Sequence, residues 1–188
     1  MTISKEVSVI IPCNHSHSFL VRIVDSLCRQ THKPAEIIIV DSSAYGDLCP
    51  KKIIQICAKN KIKLIYKHQC HAFPGEARNL GLDLACSDLI AFVDVQTIPR
   101  PNWLKSSLDI ISKDNVFGIF GGTIFLAETI FEKLIRDAFY GVLPRKTLPG
   151  SVFRREVLIK VGRLIDWVRA GEDTEWILRL DVLKIPVA

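Results

Sequence analysis

The stretch Leu89–Leu104, L-I-A-F-V-D-V-Q-T-I-P-R-P-N-W-L, decides how the rest of the chain is read. Leu89 to Val93 is an unbroken apolar run, the pattern of a strand covered on both faces. It stops at Asp94, then Gln96, and Pro99 and Pro101 close the strand off. Pro101 falls at or near the start of a helix over Trp103–Ile111, where its missing N–H costs little. A carboxylate at the C-terminal tip of a buried strand either caps the next turn or faces a ligand. Asp94 alone supports both readings equally.

The segments before it repeat the same unit. Val7 to Ile11 predicts a buried strand that runs into Pro12-Cys13-Asn14. Phe19 to Gln30 carries Leu20, Ile23, Val24 and Leu27 at helical spacing, with Ser16 or Ser18 as N-cap. Glu36 to Val40 is a second strand ending in Asp41-Ser42-Ser43. Pro50 to Asn60 is a second helix with Ile53, Ile54, Cys57 and Ala58 on its apolar side. Ile62 to Tyr66 is a third strand, followed by a loop over His68 to Phe73. Pro74 to Ala85 is a third helix, with Ala77, Leu80, Gly81 and Leu84 on one face. Four alternations of strand and helix predict an α/β fold, a mostly parallel sheet flanked by helices on both faces. Ligands of such sheets bind outside the carboxyl ends of the strands. Asn14, Asp41 and Asp94 all lie at such ends, and their convergence favours a ligand crevice over three unrelated turn caps.

Composition narrows the class. The 188 residues are 48% hydrophobic, 24% charged and 8% aromatic, which is one globular domain with a sizeable core. The net charge of +5 is spread over short basic clusters. Without a long basic run or an aromatic ladder, nucleic acid is a poor partner, whereas phosphates or a membrane surface remain open. The six cysteines fit no zinc spacing. His68, Cys70 and His71 crowd together, and a partly exposed loop cluster is favoured there over a metal site. The opening M-T-I-S-K-E lacks the apolar core of an export signal, so reduced thiols in a cytoplasmic protein are expected. The longest apolar stretch, Val116 to Ala127, is too short to span a bilayer.

The second half follows another plan. Val116 to Leu126 predicts a strand containing glycines. Glu128 to Val142 predicts an amphipathic helix with Ile130, Phe131, Leu134, Ile135, Ala138 and Phe139 on its apolar side. Packing of that side on the sheet is favoured over a peripheral membrane contact. Pro144 to Pro149 reads as a loop, and Gly150-Ser151 opens a short element that continues through Phe153. Arg155 to Val161 is helical and stops at Gly162. Gly171-Glu172-Asp173 introduces a last helix bearing Trp176, Ile177, Leu180 and Leu183. Glu172 and Asp173 fall in its first turn, where the helix dipole favours negative charge, and a plain N-terminal charge pair is the alternative reading. Neither G-x-G-x-x-G after the first strand nor G-x-x-x-x-G-K-[ST] occurs, so the phosphates of a nucleotide need another partner. A metal held by Asp94 is the obvious candidate.

Taken together, V-S-V-I-I-P-C-N (7–14), I-I-I-V-D-S-S (37–43), G-E-A-R-N-L-G (75–81) running into F-V-D-V (92–95), the 99–104 and 149–153 blocks and G-E-D-T-E-W-I-L-R (171–179) resemble, in order, the family 2 glycosyltransferases of the GT-A fold. The resemblance implies a nucleotide-sugar-binding half over 1–98 and an acceptor-binding half over 99–188. It places Pro12 and Asn14 beside the nucleotide, Asp41 on its base or ribose, and Arg78 near the donor diphosphate. Asp94 matches the first carboxylate of a D-x-D motif that faces the donor ribose and a Mn²⁺ or Mg²⁺ ion. Of the catalytic pair Glu172 and Asp173, it makes Asp173 the general base. Gly150, Ser151 and Trp176 fall in the acceptor blocks. A saccharide or lipid-linked acceptor, non-processive transfer from UDP or another nucleoside diphosphate, and polysaccharide synthesis at the inner face of the membrane follow by the same resemblance. Two departures stand out. Gln96 replaces the second aspartate of D-x-D and removes one negative charge from the metal site. The family continues beyond Arg179, whereas this chain stops at Ala188, which leaves a truncated product or a compact variant. Both departures motivate an alternative, a non-catalytic nucleotide-sugar-binding or partner-binding domain.

Overall fold

The computed structural model describes residues 5–14, 17–45, 48–113, 115–141 and 143–188. Its first half alternates strand and helix: β1 (Val7–Cys13), α1 (His17–Cys28), β2 (Glu36–Asp41), α2 (Lys51–Asn60), β3 (Lys63–His68), α3 (Pro74–Leu84) and β4 (Leu89–Phe92). The second half adds α4 (Trp103–Ile111), β5 (Gly118–Thr123), α5 (Ile130–Ile135), β6 (Arg145–Arg154), α6 (Arg155–Val161) and α7 (Glu172–Val182). All six strands form one sheet in the order β3-β2-β1-β4-β6-β5. The β1–β2, β1–β4 and β2–β3 pairs are parallel, while β6 lies antiparallel to both β4 and β5.

The continuous apolar runs of β1, β2 and β4 have a direct cause. Val9, Ile11, Ile37, Ile39, Leu89 and Ala91 face a layer made by α1, α2 and α4. The alternating positions Ile10, Ile38, Val40, Ile90 and Phe92 face the opposite layer with α3, α6 and α7. Side chains alternate with a period of two, so a strand sandwiched between helices must be apolar throughout.

At the N-terminal ends of β1 and β2 the core contains one buried carboxylate. Glu36 Oε1 accepts from Ser8 Oγ and from the Cys86 N–H, each at 2.6 Å, and Oε2 accepts from Lys63 Nζ at 3.0 Å. Burial alone raises the Glu36 carboxyl, but the hydrogen bonds from Ser8, Cys86 and Lys63 outweigh it and hold the group below its usual range. A depressed carboxyl contributes stability that is present above the unfolded-state value and lost as pH falls through the folded-state value. We therefore expect the melting temperature of the wild type to hold down to about pH 5 and to fall below about pH 4, near the reference glutamate value. In Glu36→Gln that fall should be shallower and the neutral-pH stability lower by about 1–3 kcal/mol, because a carboxamide cannot accept all three bonds. Equal acid slopes for both proteins in thermal melts would remove Glu36 as the cause.

Three expectations need correction. The segment 145–149 is not a loop: it is the first half of β6, paired through Thr147, Lys146 and Arg145 with Gly121, Gly122 and Thr123. The helix expected over 128–142 is α5 followed by a π-helical turn over Arg136–Tyr140, and its apolar side does not pack on the sheet. Ile130 is 79% and Phe131 71% exposed, and Leu134 and Ile135 also face solvent. A capping box between Thr129 and Glu132 accounts for the helix start without tertiary packing. Ile54 and Ala58, expected on the apolar side of α2, are exposed as well. Ser16 and Val142 lie outside the described residues, as does the side chain of Phe139. No helix among the described residues is long and apolar enough to cross a membrane.

Candidate active site

The register brings the carboxyl ends of β1, β2 and β3 together, since Cys13 pairs with Asp41 and Asp41 with His68. Ile10 pairs with Phe92, so the turn after β4 rises beside the tip of β1. That turn is closed by the Thr97 N–H donating to Asp94 O at 2.9 Å, and it leaves Gln96 exposed. Asn14 and Pro12 reach the same end, Asn14 exposed and Pro12 partly so.

Asp41 is turned inward. It is 1% exposed, and its carboxylate accepts from Tyr66 Oη at 2.8 Å, from Ser43 Oγ at 2.9 Å and from the Ser43 N–H at 3.0 Å. Burial works against the charge, but these three donors prevail and the carboxyl sits below its usual range. The same proximity pushes the Cys13 thiol up to about 12, mainly by burial and then by the Asp41 charge, so Cys13 is not a nucleophile. Asp41 thus fixes the chain where it leaves the carboxyl end of β2. Ser43 belongs to the I-I-I-V-D-S-S block, whereas Tyr66, which also holds Asp41, carries no motif that would mark it in a sequence. His68 Nε2 donates to Ser43 O at 2.7 Å, and Cys70 Sγ donates to Ala44 O at 3.4 Å. No group of three metal-ligating side chains occurs among the described residues.

The decisive contacts lie on α3. Its small residues Ala77 and Gly81 let it sit close to the sheet, and Arg78 and Asn79 lie in the interior. Arg78 Nη2 donates to Asp94 Oδ1 at 2.8 Å, and Nη1 donates to Glu172 Oε1 at 2.6 Å. The Arg78 and Glu172 side chains are 5% and 6% exposed, and Asp94 is 45% exposed. One buried guanidinium therefore ties the tip of β4 to the first turn of α7. Asn79 fastens the loop before α7 by exchanging two hydrogen bonds with the Leu164 backbone, at 2.8 and 3.0 Å. Gly75 is required where that loop crosses α3, because a methyl group there would overlap Ile165 O and would touch Glu172 Cβ at 3.4 Å. Gly171, at φ +89°, precedes the helix in the left-handed region.

Asp173 follows Glu172 and is partly exposed. Its Oδ1 accepts from the Thr174 N–H at 2.8 Å. Burial separates the roles of the pair: Glu172 is spent on Arg78, and Asp173 remains accessible. Two other expected acceptor residues are placed differently. Trp176 is 0% exposed, packs edge-on against Phe153 and donates Nε1–H to Gly162 O at 2.9 Å. Ser151 is fully buried and donates to Thr147 O at 2.7 Å. Both are core residues with no surface for an acceptor. Gly150 remains partly open, and its carbonyl accepts from Trp103 Nε1 at 2.8 Å.

The chain matches the family model "Glycosyl transferase family 2" over residues 8–162. It belongs to that family. An uncharacterized glycosyltransferase of Rickettsia felis is 32% identical over 178 residues, covering 89% of this chain and 29% of the relative. The pre-mycofactocin glycosyltransferase of Mycobacterium tuberculosis is 28% identical, covering 94% of this chain and 39% of the relative. The chain spans less than a third of the length of the first curated relatives it matches. Among solved structures, Staphylococcus aureus TarS 1–349 in complex with UDP-GlcNAc superposes with a TM-score of 0.72 at 17% identity over 93% of this chain and 53% of that one. The mannosyltransferase PcManGT of Pyrobaculum calidifontis, in complex with GDP-Man and Mn²⁺, gives 0.70 at 18% identity over 97% and 53%. Both establish the GT-A fold for this family 2 member.

The donor set fits a divalent ion of one kind. Asp94 Oδ2 and the Gln96 carbonyl are hard oxygens, which suit Mg²⁺ or Mn²⁺. One carboxylate and one amide do not make a protein cage, but such ions are commonly held by one or two carboxylates together with substrate phosphates.

Proposed function

We propose that this domain transfers a sugar from a nucleoside-diphosphate sugar to an acceptor hydroxyl with inversion at C1. The observation that carries the reading is the single guanidinium of Arg78 shared between Asp94 and Glu172. It sets the strand tip that faces the donor and the helix turn that bears Asp173 at a fixed separation, as an in-line displacement requires. Asp173 takes the proton from the acceptor hydroxyl as its oxygen attacks C1. The C1–O bond to the diphosphate breaks, and its electron pair leaves with the nucleoside diphosphate. A divalent ion, held by Asp94, Gln96 and the diphosphate, would supply charge neutralisation to that leaving group. The complexes of TarS with UDP-GlcNAc and of PcManGT with GDP-Man and Mn²⁺ support this class of donor. Pro12 and Asn14 border the nucleotide, and Asp41 shapes the floor beneath its base.

Thermal melts with UDP-GlcNAc, GDP-mannose and the free nucleotides, each with and without Mn²⁺, test the proposal. At 100 times the dissociation constant a bound nucleotide adds about 2.7 kcal/mol of stability, a rise of several degrees. Absence of any rise across all nucleotides would reject the donor site. The neutral Gln96 favours a second reading, a domain that binds nucleotide-sugar without turnover. A melting shift accompanied by neither sugar transfer nor donor hydrolysis would select it.

A further inference from the structure

We propose that the α2–β3 flank of the sheet docks on an anionic lipid surface. Six lysines, Lys51, Lys52, Lys59, Lys61, Lys63 and Lys67, fall between Leu48 and Gly75, and no Asp or Glu does. This segment therefore carries more than the whole net charge of +5. The sequence divides these lysines into short clusters, and the fold gathers them. Lys51, Lys52 and Lys59 lie within about 100° of one another around α2 at 3.6 residues per turn. Lys61 closes α2 in the left-handed region, and Lys63 and Lys67 stand on one side of β3, the terminal strand of the sheet. All six are exposed, and among the described residues Lys63 is the one paired with a carboxylate, that of Glu36.

Local structure accounts for only part of this charge. Lys63 and Lys67 blunt the open edge of β3 against other strands. The lysines of α2 have no such use. Lys51 and Lys52 open the helix, where its dipole repels cations, and neither an acid in the first turn nor a side-chain cap offsets them. The same surface carries apolar groups. Ile54 and Ala58 lie beside Lys51 on the outer side of α2, and Tyr45 and Leu48, just before the helix, are 90% and 91% exposed. Lysines among exposed apolar side chains suit a lipid interface, where cations meet headgroup phosphates and apolar chains enter the acyl boundary. All six cations are lysines, point charges on flexible stems, and none is the arginine fork that reads single phosphates or bases. A smeared surface potential is therefore a better match than a nucleic acid. Tyr45 and Leu48 follow the carboxyl end of β2, so the docked flank adjoins the end of the sheet where the crevice opens. The proposal does not depend on the transferase reading.

The test is co-sedimentation of the full chain with vesicles of phosphatidylcholine, either alone or with about one-third phosphatidylglycerol. Binding should require the anionic lipid and fall at least about tenfold as NaCl rises from about 0.1 to about 0.5 M and the Debye length shrinks. K51Q/K52Q/K59Q should lose about fivefold for each lysine, roughly a hundredfold in all. K105Q/K113Q/K160Q removes the same charge from exposed lysines of α4, the turn after it and α6. It should lose less than about threefold, because charges away from the docked surface are screened. L48S/I54S should weaken binding and keep its salt dependence. All these side chains are exposed, so the substitutions leave the core intact, and a thermal melt checks each variant. Equal losses in the two triple variants would make net charge the cause and overturn the proposal. Absence of binding to the anionic vesicles, or a single-stranded RNA that binds more tightly than they do, would overturn the lipid occupant.

Discussion

Asp173→Asn lowers sugar transfer by about 10²- to 10⁴-fold, the usual contribution of a positioned general base, and leaves nucleotide binding unchanged. The substitution is chosen for its small footprint. Asn has the shape of Asp, and its carbonyl oxygen still accepts from the Thr174 N–H. Glu172 and its pair with Arg78 are untouched. What disappears is the partly exposed carboxylate beside Glu172 on the first turn of α7, and with it the proposed acceptor for the hydroxyl proton. Donor hydrolysis and transfer to a saccharide acceptor should fall together, while calorimetric titration with UDP and Mn²⁺ matches the wild type. Turnover at the wild-type rate would exclude Asp173 as the base. Loss of UDP binding would show that Asp173 belongs to the donor site.

Glu172→Ala acts on folding. Its neighbour in sequence is exposed, but Glu172 is buried on Arg78, and removing it strands a guanidinium whose Nε is already unpartnered. Breaking one side of a buried ion pair costs about 3–5 kcal/mol. Asp94 cannot fully compensate, because it reaches Arg78 from the solvent side. Urea denaturation should therefore show a large drop in midpoint with little change in slope. Glu172→Gln, which keeps an acceptor oxygen, should lose less. A loss below about 1 kcal/mol in the alanine variant would mean that water reaches Arg78, and the buried link between the two halves would have to be abandoned.

Much of the architecture is visible in the sequence for a physical reason. β1, β2 and β4 are apolar on both faces apart from Ser8 and the strand-end carboxylates Glu36 and Asp41, so composition alone marks them. α4 and α6 fall on the expected residues, since Pro101 precedes one and Gly162 ends the other. The first half of β6 was hidden because it runs beside β5 with Arg145 and Lys146 exposed and contains Pro149, which together imitate a loop. α5 failed differently. Periodicity reveals an apolar stripe, and only tertiary structure decides what faces it. The Arg78 contacts span 16 residues to Asp94 and 94 to Glu172, so no local pattern encodes them. The motif blocks marked these residues individually but not their pairing. Trp176 was misplaced because it sits in a catalytic-looking block, although its helical phase points into the core.

The place of β6 in the sheet has a consequence for how the chain is made. β4 is complete at Phe92, yet the strand that covers its open edge ends at Arg154. During synthesis the nascent first half therefore carries a four-residue apolar edge with unpaired backbone groups until some sixty further residues have emerged. Closure of that edge is a long-range antiparallel pairing, slow by its loop entropy. The window between the two events is when strangers compete for the strand.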